Sequence, residues 1–225
     1  MPVQKSIAKL RREAEKRNES MDGGVLWRAI DFLVYLVLII LIMFAIRGTL
    51  IDPVRVDGES MLDTLKNNEI MLIDRAAYAF SSPKRGEIVL CYYPDEYYAE
   101  QNFDYASRVK RVIALGGETI FTIDGKVYVT GVSPDRIEVR GETAYNMDTG
   151  EQIPPLDEPY LTPERVGSQY IAMYTVPEGC VYVLGDNRAV SRDSRNTSVQ
   201  AIPLDHVVGR VRLLIYPFER MKIVK

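Results

Sequence analysis

Val54-Arg55-Val56-Asp57-Gly58-Glu59-Ser60-Met61-Leu62-Asp63-Thr64-Leu65 is the stretch around which the chain is organised. Two β-branched residues in alternation, Val54 and Val56, run into Asp57-Gly58, where a strand breaks. A strand that ends at a glycine and then presents a serine can hold a hydroxyl at the rim of a sheet, with backbone N–H groups free beside it. It is equally an ordinary strand end, so the stretch takes its meaning from what flanks it.

Upstream, Phe32 to Ile46 carries no charge and only Tyr35 as a polar residue, and Val25-Leu26-Trp27 and Ala29-Ile30 extend it past Arg28 and Asp31. About 20 mainly apolar residues cross a bilayer, and residues 25–46 supply 22. Arg28 and Asp31 sit one helical turn apart, where they can pair or reach headgroups. A removable signal would have a shorter apolar run and a small-x-small cleavage site, whereas Phe44-Ala45-Ile46-Arg47 is a poor one. The reading is an uncleaved transmembrane anchor over 25–46, preceded by a cytoplasmic tail over 1–24. In that tail Ile7, Leu10 and Ala14 suggest a weak amphipathic helix, but a solvated tail is preferred. Arg12, Lys16, Arg17 and Arg28 before the core against Arg47, Arg55 and Lys66 after it favour, slightly, an inside N-terminus.

The 225 residues can bury a full core; 47% are hydrophobic and 26% charged, both globular values. A net charge of −3 excludes the basic face a nucleic-acid binder needs. One histidine and two cysteines leave little with which to build a metal site, and no cofactor is expected.

Downstream the pattern is β. Leu50–Val56, Glu69–Asp74, Glu87–Tyr93, Arg108–Leu115, Thr119–Ile123, Lys126–Thr130, Tyr170–Tyr174, Cys180–Leu184 and Val207–Tyr216 read as short strands punctuated by Gly, Pro, Asn or Asp. This makes residues 47–225 a mainly β, antiparallel extracytoplasmic domain with its rim toward the membrane. Residues 131–167 are rich in turn formers and read as an inserted loop or small subdomain, with nothing catalytic in it.

A serine nucleophile needs a base. His206, beside Asp205 at the mouth of a strand, reads better as a structural residue. Ser-x-x-Lys fails, since Asp63 follows Ser60 by three. Lys110 lies in Arg108-Val109-Lys110-Arg111-Val112, sharing a strand face with Arg108 and Val112 while Arg111 points away. Burial of that face would lower the lysine pKa until it accepts a proton near neutrality. From periodicity alone, a solvent-facing lysine is the simpler reading. The polar run Gly185-Asp186-Asn187-Arg188-Ala189-Val190-Ser191-Arg192-Asp193-Ser194-Arg195 follows an apolar strand and reads as a solvated loop or as a network propping up a site.

Taken in order, Ser60-Met61-x-x-Thr64-Leu65, Arg85-Gly86-Glu87-Ile88-Val89, Lys110-Arg111-Val112-Ile113 and Gly185-Asp186-Asn187-Arg188-x-x-Ser191-x-Asp193-Ser194-Arg195 resemble the boxes of the bacterial type I signal peptidases. These are membrane-anchored Ser/Lys endopeptidases, and the single anchor resembles their Gram-positive form. The resemblance implies Ser60 as nucleophile, Lys110 as base for acylation and deacylation, and Ser191 as the hydroxyl orienting the lysine. Asp186, Arg188, Asp193 and Arg195 would be structural support. The substrate, a preprotein signal peptide with small residues at −1 and −3, would pair beside the segment leading to Ser60, against Val56, Met61, Leu65 and Val109.

The oxyanion would lean on the backbone N–H of Ser60, because Gly58 stands where Gram-negative relatives carry a second hydroxyl; Gly58→Ser would on this reading keep or raise activity. Asp63 replaces the usual Pro, and Ala114, Gly116 and Glu118 stand where Gly, Pro and Asp are usual. Cys91 and Cys180, each within an expected strand, are expected as buried free thiols. Other readings are a self-cleaving SOS-type repressor, which would lack the apolar run, a mitochondrial inner-membrane peptidase, and an inactive anchored β scaffold.

Overall fold

In the computed structural model, residues 12–13, 24, 27–43, 50–94, 107–167 and 169–224 are described. The chain divides into two units, Met1–Gly48 and Thr49–Lys225. In the first, a helix covers residues 27–43 (α1), and all of its described side chains are exposed. Among the described residues no helix is long and apolar enough to cross a membrane. The expected anchor also takes in residues 25–26 and 44–46, which lie outside the described residues, as does nearly all of the expected tail.

The second unit is built from short strands. In chain order they are β1 (Ile51–Arg55), β2 (Ile70–Asp74), β3 (Ile88–Cys91), β4 (Arg108–Leu115), β5 (Thr119–Ile123), β6 (Lys126–Thr130) and β7 (Ile137–Arg140). They continue with β8 (Thr143–Asn146), β9 (Gln152–Ile153), β10 (Tyr174–Thr175), β11 (Cys180–Leu184), β12 (Ile202–Pro203), β13 (Val207–Tyr216) and β14 (Lys222–Ile223). The largest sheet runs β1-β2-β13-β3-β4-β11-β12, with β14 added to β13. Every pairing in it is antiparallel. β4, β5, β6, β11 and β13 have the bounds that alternation predicts.

One expectation is corrected. The strand read over Tyr170–Tyr174 begins only at Tyr174, because the N–H of Ile171 donates to the Thr122 hydroxyl (2.9 Å) rather than to a ladder carbonyl. Within residues 131–167, β7, β8 and β9 make a third sheet, which packs on Phe121 and Tyr128 and is followed by a helical turn, α2 (Pro163–Val166). Pro at its N-terminus and Gly167 beyond its end fit the ordinary asymmetry of helix ends.

Two core clusters decide where the functional groups go. One holds Val56, Met61, Leu65, Met71, Ile73, Ile88 and Leu90 and underlies the turn after β1. The other, with Val89, Cys91, Tyr93, Val112 and Val183, covers one face of β4, while Ile113 on the opposite face enters a third cluster with Ile120 and Leu184. β4 is therefore buried on both sides.

Candidate active site

Because β4 is covered on both faces, its central charged residues Lys110 and Arg111 are buried, while Arg108 at its start is half-buried. Lys110 pairs in register with Val89 on β3 and is 3% exposed. The solvent-facing reading suggested by periodicity is thus corrected. Its Nζ lies 2.8 Å from Ser60 Oγ, within hydrogen-bond distance, and donates to the carbonyl of Val109 at 2.9 Å. Burial lowers its pKa from 10.5 to about 8, against the opposing fields of Cys91, Asp193 and Asp186 and with that of Arg108. At pH 7 about one lysine in ten would then be neutral.

Ser60 is presented by a turn pinned at two points. Met61 and Leu65 are buried, and the Leu65 N–H closes the turn on the Met61 carbonyl at 2.8 Å. Just ahead of them Ser60 stays half-buried. Its own N–H donates to no protein group among the described residues, which leaves it available to an incoming oxygen. Gly58 enters this turn at φ +98°, a backbone conformation L side chains rarely adopt. A serine there would meet open space but a strained backbone, which sets a stability cost against the activity expected of Gly58→Ser.

The polar run after β11 holds the serine from behind. Leu184 pairs with Arg111, so the chain leaves β11 beside that guanidinium. Asp186 takes it in a two-pronged pair, Nε to Oδ1 at 2.9 Å and Nη2 to Oδ2 at 2.8 Å. Asp186 also accepts from the Thr64 hydroxyl at 2.5 Å, on the serine's own turn. Both members of the pair are buried, and removing one partner from such a pair costs about 3–5 kcal/mol. Asn187 donates its N–H to the Ser60 carbonyl (2.9 Å) and its side-chain amide to the Glu59 carbonyl (3.1 Å). The approach is close enough that a Cβ on Gly185 would meet the Ser60 oxygen at 2.5 Å and Ser191 Oγ at 2.2 Å.

Around this, Asp193 accepts from the Gly185 N–H (3.0 Å) and from Arg195 (Nε, 2.8 Å), and Arg188 Nε donates to the Gly185 carbonyl (3.0 Å). Asp186, Arg188, Asp193 and Arg195 thus lie where the loop needs bracing.

A cleft of about 530 Å3 opens over Ser60 and Lys110. Val56, Met61 and Val109 line it, together with Val54, Leu90, Tyr93 and Val190. Leu65 does not: it is fully buried in the cluster beneath, because it anchors the turn rather than flanking it. Ser191 also departs from expectation. It is not a partner of Lys110; its hydroxyl is directed to the Arg192 carbonyl at 3.5 Å, and Val109 supplies the lysine's second acceptor. His206 is buried at the end of a short 3-10 turn and is absent from the cleft lining. Cys91 and Cys180 are free thiols, the former buried and pushed up to about 12 by that burial, the latter only half-buried.

The departures from the family pattern have partners of their own. Asp63 pairs with Arg165 (3.4 Å) and accepts from the Thr162 hydroxyl (3.5 Å), tying the serine's turn to α2. Glu118 accepts from the Leu115 N–H (2.7 Å) and from Arg85 (2.5 Å), closing the β4–β5 turn. Arg111, Thr64, Gly185 and Asn187 were visible only as motif letters in the sequence; their contacts are to residues far along the chain. Among the described residues no group of three His, Cys, Asp or Glu could hold a metal ion.

Residues 29–216 match a family model described as signal peptidase, peptidase S26. The chain is 28% identical over 199 residues to signal peptidase IB of Staphylococcus aureus (strain COL), covering 86% of this chain and 92% of that protein. It is 27% identical over 198 residues to signal peptidase I T of Bacillus subtilis (strain 168), covering 84% and 86%. A crystal structure of a signal peptidase I from Enterococcus faecalis V583 is 25% identical, with a TM-score of 0.37, covering 58% of this chain and 97% of that one.

Proposed function

The chain belongs to the signal peptidase family, peptidase S26, and from that premise we propose that it is a membrane-anchored endopeptidase which removes signal peptides through a Ser60/Lys110 dyad. Ser60 Oγ attacks the scissile carbonyl while neutral Lys110 takes its proton. The lysine then protonates the leaving amine, and as base again it draws a proton from the water that hydrolyses the acyl-enzyme. The 2.8 Å separation of Lys110 Nζ and Ser60 Oγ in a buried setting carries this reading.

The N–H of Ser60 donates to the oxyanion in the tetrahedral intermediate; losing one such donor typically costs about 3 kcal/mol. Ser191 acts on the lysine only after its hydroxyl turns from the Arg192 carbonyl. The preprotein lies as an extra strand along β1, which is the first strand of its sheet and carries no partner on its outer edge among the described residues. Small residues at −1 and −3 suit walls made of Val56, Met61 and Val109. Residues 25–46 anchor the enzyme in the cell membrane, with tail 1–24 cytoplasmic and domain 47–225 outside; the apolar length supports this.

The test is preprotein cleavage by the full chain in detergent micelles. Ser60→Ala and Lys110→Ala each abolish it, and His206→Ala does not. An active Lys110→Ala variant together with a dead His206→Ala variant would overturn the dyad.

A further inference from the structure

Besides the Asp63–Arg165 pair, the inserted subdomain reaches back to the active site through a short segment. Between β9 and α2 the chain passes Glu158-Pro159-Tyr160, and two groups there, the Tyr160 ring and the Glu158 carboxylate, touch the catalytic loops. The Arg111 guanidinium lies 3.9 Å over the ring of Tyr160. The Tyr160 hydroxyl donates to Glu158 Oε1 at 2.7 Å, and Glu158 pairs with the buried Arg188. Arg188 in turn donates to the Gly185 carbonyl and, at 2.7 Å, to Gln169. Two open clefts each have both Arg111 and Tyr160 in their lining, so the ring covers one face of a guanidinium that stands at the solvent boundary.

We propose that Tyr160 is a positioning residue for the reaction: its ring fixes Arg111, and through Arg111 the carboxylate of Asp186 that holds Thr64 and lies near Lys110. The inference rests on the Ser60/Lys110 reading. The ring adds to what holds the guanidinium, beside the Asp186 pair and the Gly86 carbonyl, which accepts from it at 2.7 Å. Without the ring, water reaches the open face of Arg111, and Asp186 loses part of its neutralising partner. The groups acting on Lys110 are Cys91 from β3, Arg108 from β4, and Asp193 and Asp186 from the polar loop. Of these, Asp186 is directly paired with Arg111, at 2.9 and 2.8 Å. A less neutralised Asp186 favours the ammonium form of Lys110, and so does any water admitted past the missing ring. Both act in one direction: less neutral base at a given pH.

The test is the pH profile of kcat/KM for preprotein cleavage, using the full chain in detergent micelles. Tyr160→Leu, which keeps bulk without a π face, should lower kcat at pH 7 on the order of tenfold and move the acid limb to higher pH. KM should change little, since the segment lies outside the cleft lining. Tyr160→Phe keeps the ring and should restore the wild-type midpoint. Tyr160→Ala should show the same shift as Leu where it folds, and Leu alone decides where it does not. A Leu variant with the wild-type midpoint overturns the proposal, even if its activity is reduced, and so does a Phe variant as impaired as Leu. Lys110→Ala is assayed alongside. If it is inactive while Tyr160→Leu is unchanged, only this proposal fails; if it is active, the dyad fails and this proposal with it.

Discussion

The backbone N–H of Asn187 donates to the carbonyl oxygen of Ser60 at 2.9 Å, across 127 positions of chain, and the side-chain amide of the same residue takes the carbonyl of Glu59. Ser60 is therefore held by its main chain, which leaves the hydroxyl to face Lys110.

Asn187→Ala removes the side-chain half of that clamp and leaves the backbone half. One hydrogen bond is worth about 1 kcal/mol, so kcat should fall about fivefold with KM nearly unchanged. Steady-state cleavage of a synthetic preprotein segment checks this; an unchanged kcat would mean that the Asn187 backbone alone sets the position of Ser60.

Activity should follow the neutral fraction of Lys110. With its pKa lowered to about 8, kcat/KM should rise about tenfold per pH unit below the midpoint and level off above it. A profile already flat between pH 6 and 8 would assign the proton to a different group.

The same shift carries a cost in stability. The folded-state pKa of Lys110 lies below its ordinary 10.5, so folding disfavours the ammonium. The penalty is full below about pH 8, on the order of 3 kcal/mol, and fades as pH rises toward 10.5. Lys110→Met removes it but also gives up hydrogen bonds to Ser60 and the Val109 carbonyl, about 1 kcal/mol each. The variant should be inactive yet more stable than the parent by about 1 kcal/mol at pH 7, with the difference vanishing or reversing at pH 10. Thermal unfolding at the two pH values checks the sign.

Gly58→Ala and Gly58→Ser should each lose about 1–2 kcal/mol of stability from the backbone conformation alone. Comparing them separates strain from chemistry. If the serine variant cleaves faster than the alanine variant, its hydroxyl reaches the oxyanion; equal rates mean that it does not.

The strands of highest apolar content could be read directly: alternation set the limits of β4 and β13 because both pack against covered faces along their length. The same alternation said that Lys110 and Arg111 face opposite ways, but not that both faces are closed, since what closes them comes from β11, β3 and the polar loop. Asp186 meets Arg111 across 75 positions, and no local pattern encodes that. Within residues 131–167, an inserted loop or small subdomain by their turn formers, the individual strands are hidden for a related reason. They are two to four residues long and half exposed, too short for a period to show. Leu65 was placed in the cleft because it is near Ser60 in sequence; the turn's closure sends it inward instead. The exposed Asp63–Arg165 pair, worth little by itself, could not be foreseen from a position where a proline was expected.

Neighbouring positions on β4 carry a group that, in the proposed dyad, has to lose its charge and one that never does. A strand reverses its facing with every residue, so shortening or lengthening β4 by one unit ahead of Lys110 would trade the two, aiming a permanently cationic fork at the hydroxyl and an amine at the buried carboxylate. Insertions that the surface turns of this domain would absorb without harm would there convert a hydrolase into an inert protein of nearly the same shape.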